Sequence, residues 1–344
     1  MEVRKLTEKE RLFAAFNREE IDRKPLICPG GMMNMITTAL MDASGVYWPE
    51  AHIDPVKMAD MAQASWEQRC FENVGVPFCM TVEAEAMGAQ VTLGNTVAEP
   101  HVTEYAIKSV DDWETLPTPN VNEGRMAVVI EAIKILKSRD LPVPIVGNVV
   151  GPISVANSVQ DAVTYYKEMR KKPEKMHAFM SFVTKTCADF AVEMAKAGAD
   201  LICISDPSGT GEILGPKMFD EYCVTYVNEI IRAVKPYGVK TLVHICGQMS
   251  SVYEQMDKIE ADALSFDAIV SLRKAKEALG EKHIIVGNIS TFALETNNTE
   301  KAAALARNCA KGASDVIAPA CGLGTGSPLE NIQTLLKALD GEVA

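Results

Sequence analysis

Positive charge, histidine and long apolar runs are all scarce in this chain. Its 344 residues carry 34 Lys and Arg against 46 Asp and Glu, a net charge of −12. That balance leaves no basic footprint for nucleic acid, and an anionic membrane surface would repel it. No uninterrupted apolar stretch reaches the roughly 18 residues of a membrane span. The opening MEVRKLTEKE is charged and lacks the apolar core of a secretion signal. The cysteines, nine in number and scattered from Cys28 to Cys321, form no regular framework of spacings. These absences point to a cytoplasmic protein with reduced thiols, available to a metal. Hydrophobic residues at 47% and charged residues at 23% are ordinary for a globular protein that binds small molecules.

Punctuation along the chain favours alternating strands and helices. Thr7-Glu-Lys-Glu10 reads as a capping box opening a helix from Glu8 to Asn17. Pro25 to Cys28 reads as a first strand, residues 30–70 as a largely helical extension, and Pro77 to Val82 as a second strand. Gln90 to Leu93 and Val102 to Ile107 form an expected hairpin, followed by a helix around Gly124 to Arg139. Six more strands are expected at Val143–Val149, Leu201–Ser205, Thr241–Ile245, Ala263–Phe266, Ile284–Gly287 and Val316–Ala318. Helical patterns separate them: Val159–Met169, Lys172–Lys196, Pro216–Val234, Ser251–Lys258, Leu272–Leu279 and Glu300–Gly312. Such alternation implies a parallel sheet, and eight strands suggest closure. The expected fold is α/β, a (β/α)8 TIM barrel with an N-terminal helical extension and an inserted β-hairpin. No linker or repeat divides it, so residues 1–344 read as one domain. An open doubly wound sheet is the alternative.

The strongest chemical signal is Val243-His-Ile-Cys-Gly247 at the end of an apolar strand. Side chains at i and i+2 share a face, so His244 and Cys246 point together into the barrel mouth. Cys321 ends another strand, and strand C-termini converge on the catalytic face. Two thiolates and an imidazole with an open fourth position make a catalytic zinc arrangement. The competing reading is two core cysteines and an unrelated histidine. Cys28, Cys79 and Cys203 fit core roles, and His52, His101, His177 and His283 lack short-range metal partners, so they fit surface or core roles. Beyond Cys321 runs Gly-Leu-Gly-Thr-Gly-Ser-Pro-Leu-Glu, which is not Gly-x-Gly-x-x-Gly. There Ser327 fits an N-cap, Pro328 the first helical position and Glu330 the third. This turn either binds an anion or simply joins strand to helix. Asp206 and Asp267 follow strands and are candidate partners for the His244 ring, or routine loop carboxylates, as are Glu83 and Glu85.

At His244-Ile-Cys246 and Cys321-Gly322 the chain resembles the uroporphyrinogen decarboxylase-like superfamily, and within it the methylcorrinoid protein:coenzyme M methyltransferases. Further matches are Trp48-Pro-Glu-Ala-His52, Glu85-Ala-Met-Gly88, Val286-Gly-Asn-Ile-Ser290, Ala318-Pro-Ala-Cys321-Gly and Pro328-Leu-Glu-Asn-Ile332. The resemblance implies a barrel with zinc at His244, Cys246 and Cys321 as the catalytic centre. Asp206, Asn288, Gly322 and Gly324 are cofactor-binding candidates. It implies a methylcobalamin-type methyl-Co(III) corrinoid as donor, a corrinoid-binding protein as partner and a small thiol, coenzyme M, as acceptor. The corrinoid must arrive on another chain. The Asp-x-His-x-x-Gly of a corrinoid-binding domain is absent, since Leu242 stands where His244 to Gly247 would need the aspartate. A tetrahydrofolate acceptor is one alternative. Porphyrinogen decarboxylation is another, but Pro25 to Asn34 holds no arginine for a ligand with many carboxylates.

Overall fold

In the computed structural model, residues 5–29 and 35–343 are described. Near its start the Thr7 hydroxyl accepts from the Glu10 N–H at 3.2 Å, and the Glu10 carboxylate accepts from the Thr7 N–H at 2.9 Å. The expected capping box therefore forms and opens α1 (Glu8–Phe16). The extension after segment 25–28 supplies α2 (Thr38–Ser44), a 3-10 turn at Glu50–His52, and α3 (Pro55–Glu67). Residues 30–34 of the expected helical stretch lie outside the described residues. There follow β1 (Val74–Val76), α4 (Val82–Ala86), the antiparallel hairpin β2 (Gln90–Thr92) and β3 (His101–Glu104), and α5 (Gly124–Ser138).

From there strand and helix alternate. β4 (Ile145–Val150) leads through α6 (Pro152–Val159), α7 (Ala162–Lys171) and α8 (Pro173–Ala197) to β5 (Leu201–Ser205). Next, α9 (Gly211–Met218) and α10 (Thr225–Val234) precede β6 (Lys240–Ile245), and α11 (Tyr253–Met256) precedes β7 (Ala263–Phe266). The chain ends through α12 (Leu272–Leu279), β8 (Ile284–Val286), α13 (Thr291–Thr296), α14 (Thr299–Lys311) and α15 (Leu329–Leu339).

The strands run in parallel in the order β1-β4-β5-β6-β7-β8. Two short segments complete the (β/α)8 ring. Val316 bridges Val286, and Leu26 bridges Ile317, both in parallel. Backbone bonds Ile27 N–H to Ile317 O and Glu72 N–H to Leu26 O, each 2.9 Å, carry the closure back toward β1. Between segment 25–28 and β1, side chains replace the missing ladder. Leu26 N–H donates to the Glu72 carboxylate and Cys28 N–H to Asn73 Oδ1, each at 2.8 Å. These polar side chains are buried because they are bonded, as buried polar groups must be.

Several boundaries differ from expectation. The second strand is Val74–Val76 rather than Pro77–Val82. Pro77 has no N–H for a ladder, so pairing stops before it and the chain turns into α4. The expected helix Val159–Met169 forms as α7 but starts at Ala162, and α6 before it lies outside the expected range but for its last residue, Val159. The expected Pro216–Val234 helix is preceded by a separate turn from Gly211, parted from it by the left-handed Gly215 at φ +65°, and it passes through a π-helical turn at Phe219–Val224. The short α13 was not anticipated. No helix among the described residues is long and apolar enough to cross a membrane.

Register fixes which side chains face the barrel interior. Val150, Ser205, His244 and Ser265 are paired across β4 to β7 and so share one face. Gly147, three residues before Val150, faces the other way, where an added Cβ would meet Met194 of α8 at 2.8 Å. His244 therefore points inward, at the C-terminal end of the barrel.

Candidate metal centre

His244 and Cys246 arise from one strand end, as the period of two requires, and Cys321 arrives from beyond segment 316–319, three strand positions around the ring. His244 is fully buried, while both cysteines are half-buried. His244 Nε2 lies 3.2 Å from Cys246 Sγ, and Cys246 Sγ lies 3.5 Å from Cys321 Sγ, although the cysteines are 75 residues apart. Ligand atoms from all three lie within 4.8 Å of one another, the one such group of three among the described residues. A tetrahedral ion with Zn–S of about 2.3 Å and Zn–N of about 2.0 Å would separate its donors by roughly 3.5–3.8 Å. The Cys246 sulfur needs to part from His244 Nε2 and from the Cys321 sulfur by only a few tenths of an ångström to match that spacing.

The electrostatics of the thiol pair agree with that use. The contact between the two sulfurs raises the Cys246 thiol above its ordinary value and lowers that of Cys321. His244 and the Gly322 N–H also favour a thiolate at Cys321. The pair thus shares one proton over two sulfurs, and a divalent cation in its place would satisfy both.

The surrounding loops hold this geometry. His244 Nδ1 meets Ser265 Oγ on β7 at 3.0 Å. If Nδ1 carries the proton and Ser265 accepts it, Nε2 is left with its lone pair toward the cysteines. Gly247 takes φ +84°, a left-handed turn that glycine adopts readily, and its N–H donates to Asp267 Oδ2 at 3.1 Å. Asn288 Nδ2 donates to the carbonyls of Asp267 at 2.8 Å and Val270 at 2.9 Å, fixing that loop from β8. On the other side, the Thr325 carbonyl accepts from Thr38 N–H at 2.9 Å, and its hydroxyl donates to Val97 O at 3.1 Å. Gly324 packs so closely on Glu295 that a Cβ would fall 2.4 Å from its carboxylate.

Some expected contacts are not made. Neither Asp206 nor Asp267 bonds the His244 ring. Asp206 is fully buried with its carboxylate on Ser154 N–H at 2.8 Å, Ser154 Oγ at 2.7 Å and Ile153 N–H at 3.2 Å, where it caps α6. Burial pushes that carboxyl up to about 6. Ser265 takes the place expected of them. Its sequence signal was available: in Ala263-Leu-Ser-Phe266 it is the lone polar residue of an otherwise apolar strand. Ser327 does not cap α15, whose N-cap is Pro328, and its hydroxyl is buried without a partner. Glu83 is also buried, accepting from Val150 N–H at 2.8 Å, and burial lifts its carboxyl to about 7. Glu85 instead pairs with Arg125 at 2.5 Å. Cys28, Cys79 and Cys203 are buried, as expected of core thiols.

Comparison with known proteins agrees with this arrangement. Residues 7–341 match the family model described as uroporphyrinogen decarboxylase (URO-D). The chain is 34% identical over 337 residues to methylcobamide:CoM methyltransferase MtbA of Methanosarcina acetivorans, covering 96% of this chain and 97% of that one. It is 32% identical to methylcobamide:CoM methyltransferase MtaA of Methanosarcina barkeri, covering 97% and 98%. A solved methyltransferase from Methanosarcina mazei superposes with TM-score 0.91 at 33% identity, covering 99% of this chain and 100% of that one. With such matches running nearly end to end, the chain belongs to the uroporphyrinogen decarboxylase (URO-D) family, in its methylcobamide:CoM methyltransferase group.

Proposed function

We propose that this protein transfers a methyl group from a methyl-Co(III) corrinoid, carried on a separate corrinoid-binding protein, to the thiol of coenzyme M. The observation that carries the reading is the gathering of His244, Cys246 and Cys321, from two distant segments, at the mouth of a barrel shared with methylcobamide:CoM methyltransferases. The match of one family model to residues 7–341 supports reading the chain as a single catalytic domain. These three side chains would hold a zinc ion, and its Lewis acidity would turn a thiol into a nucleophilic thiolate at neutral pH.

In the transfer itself the substrate sulfur forms a bond to the methyl carbon as the cobalt–carbon bond breaks. The electron pair stays on cobalt, Co(III) becomes Co(I), and the thiol proton leaves to solvent. His244 is held rigid by the barrel wall and by Ser265. Both cysteines keep some exposure through which a substrate thiol could reach them, whereas His244 is fully buried. Gly322 directs its N–H at Cys321, and Gly324 lets the loop lie flat beside it.

The direct test mixes methylcobalamin, coenzyme M and protein, and follows loss of methyl-Co(III) absorbance. Turnover is expected with zinc restored and should vanish on chelation. Undiminished turnover by a metal-free sample rejects the proposal. A second expectation concerns Ser265→Ala. Partners that orient metal ligands typically contribute about 10–100-fold to affinity, so zinc competition against a chromophoric chelator should show a loss of that size. Wild-type affinity in Ser265→Ala would show that the ring is positioned by packing alone.

A further inference from the structure

Single apolar side chains scattered over a surface are ordinary, but neighbouring ones mark a use. Three stand exposed on loops at the C-terminal ends of the strands: Ile213 after β5 at 48%, Ile269 after β7 at 57% and Phe292 after β8 at 72%. Strands β5 to β8 are consecutive in the sheet and span roughly 15 Å at the usual spacing. Hydrogen bonds tie their loops into one platform. Gln248 N–H donates to the carboxylate of Glu212, beside Ile213, and Gln248 Nε2 donates to Ile269 O at 3.1 Å. Asn288, from the loop after β8, holds the carbonyls of Asp267 and Val270 on either side of Ile269. Phe292 lies on α13, where Ser290 Oγ accepts from Ala293 N–H at 3.2 Å.

This platform borders the metal centre. Gln248 is two residues beyond Cys246, and Glu295 of α13 packs on Gly324, three residues beyond Cys321. Whatever covers Ile213, Ile269 and Phe292 therefore stands over that side of the mouth. A second copy of this chain seated there would obstruct the sulfurs. A donor that presents a methyl group to them has to stand there, and this chain has no Asp-x-His-x-x-Gly segment with which to hold a corrinoid itself.

The size of the patch bears on how long a partner stays. The three side chains expose on the order of 300 Å² of apolar surface, the size of a functional patch on a monomer. A stable complex covers about 800 Å² on each partner, more than half of it apolar. The patch falls short of that, as suits a protein that docks, gives up one methyl group and leaves with its cobalt as Co(I). A partner that stayed would block the next transfer. The bonds among Glu212, Gln248, Ile269 and Asn288 set the loops before docking, so little ordering opposes it.

We propose that Ile213, Ile269 and Phe292 form the apolar centre of a transient docking surface for the corrinoid-carrying protein. The proposal rests on the methyl-transfer reading above, and binding is measured apart from turnover so that each can fail alone. The probe is an Asp-x-His-x-x-Gly corrinoid-binding domain reconstituted with methylcobalamin, titrated calorimetrically into zinc-loaded protein. Ile269→Asp and Phe292→Asp are expected to bind it roughly 10–100-fold more weakly than wild type, as for residues at the centre of an interface. Tyr237→Ser, also exposed but placed before β6 at the opposite end of the barrel, should bind like wild type. With that domain as donor, kcat/KM should fall by the same factor in the two aspartate variants, while with free methylcobalamin it stays within about twofold. Unchanged binding in both variants overturns the proposal, as does no binding by wild type. So does an equal loss of turnover with free methylcobalamin, which would mean that these residues hold the metal loops rather than the partner. Sedimentation of the protein alone tests the other occupant: a dimer that Phe292→Asp splits would make a second copy the partner and overturn the assignment. If the domain binds as expected but no thiol is methylated, the docking surface stands and the reaction reading falls.

Discussion

Replacing Cys321 with alanine is expected to remove bound zinc and methyl transfer together while leaving the barrel folded. Losing a partner that merely orients a metal ligand costs about 10–100-fold in metal affinity, so losing one of three direct ligands should cost more than about a hundredfold. The side chain is small and half-buried at the mouth, so little packing is lost with it. The thiol pair that shares a proton at 3.5 Å would also be broken, leaving Cys246 with His244 Nε2 at 3.2 Å. Metal content after desalting, far-ultraviolet circular dichroism and methylcobalamin turnover, taken on one sample, check this. A folded variant that keeps one equivalent of zinc and full turnover would remove Cys321 from the centre.

Glu72→Gln is expected to have the largest effect on stability. The Glu72 carboxylate is almost wholly buried. It pairs with the Arg11 guanidinium, accepts from Arg23 at 2.8 and 2.9 Å, and accepts from Leu26 N–H at 2.8 Å. It therefore joins α1, the Arg23 turn and segment 25–28 where the ring closes on β1. Removing one member of a buried ionic network strands its partners, at a cost of about 3–5 kcal/mol. That is a large share of the roughly 5–15 kcal/mol by which folded domains exceed unfolded ones. Urea unfolding should show the midpoint falling accordingly. The site lies at the N-terminal end of the strands, away from the metal centre, so turnover per folded molecule should be retained. A change below about 1 kcal/mol would mean that Asp22, which also bonds Arg11 at 2.7 Å, already satisfies that guanidinium.

The contrast between these two residues shows what could be read in advance. Cys321 stood out because it ends an apolar run and is followed by glycines. Glu72 gave no signal, since an isolated glutamate between helix and strand resembles a surface residue until its partners are known. The same holds at the histidine. The loop aspartates after β5 and β7 were reasonable partners for His244, yet Asp206 is held by the N-terminus of α6 and Asp267 by the Gly247 turn. Ser265, inside a strand, lies beside His244 because β6 and β7 pair in that register. Trp48 and His52 were visible as a motif, but nothing in the motif said that their nitrogens would be buried without partners.

Local order was written in local residues. The Thr7 cap, the hairpin, the strand bearing His244 and Cys246, and the helices α5, α8 and α12 follow from periodicity, turn residues and capping, which act over a few positions of chain. The convergence of Cys321 on Cys246, the side-chain seam at Glu72 and Asn73, and the choice of Ser265 over two aspartates belong to the folded molecule. Each depends on lateral register between segments tens to hundreds of residues apart. That register is set by which faces the whole barrel buries at once, and no short stretch of sequence records it.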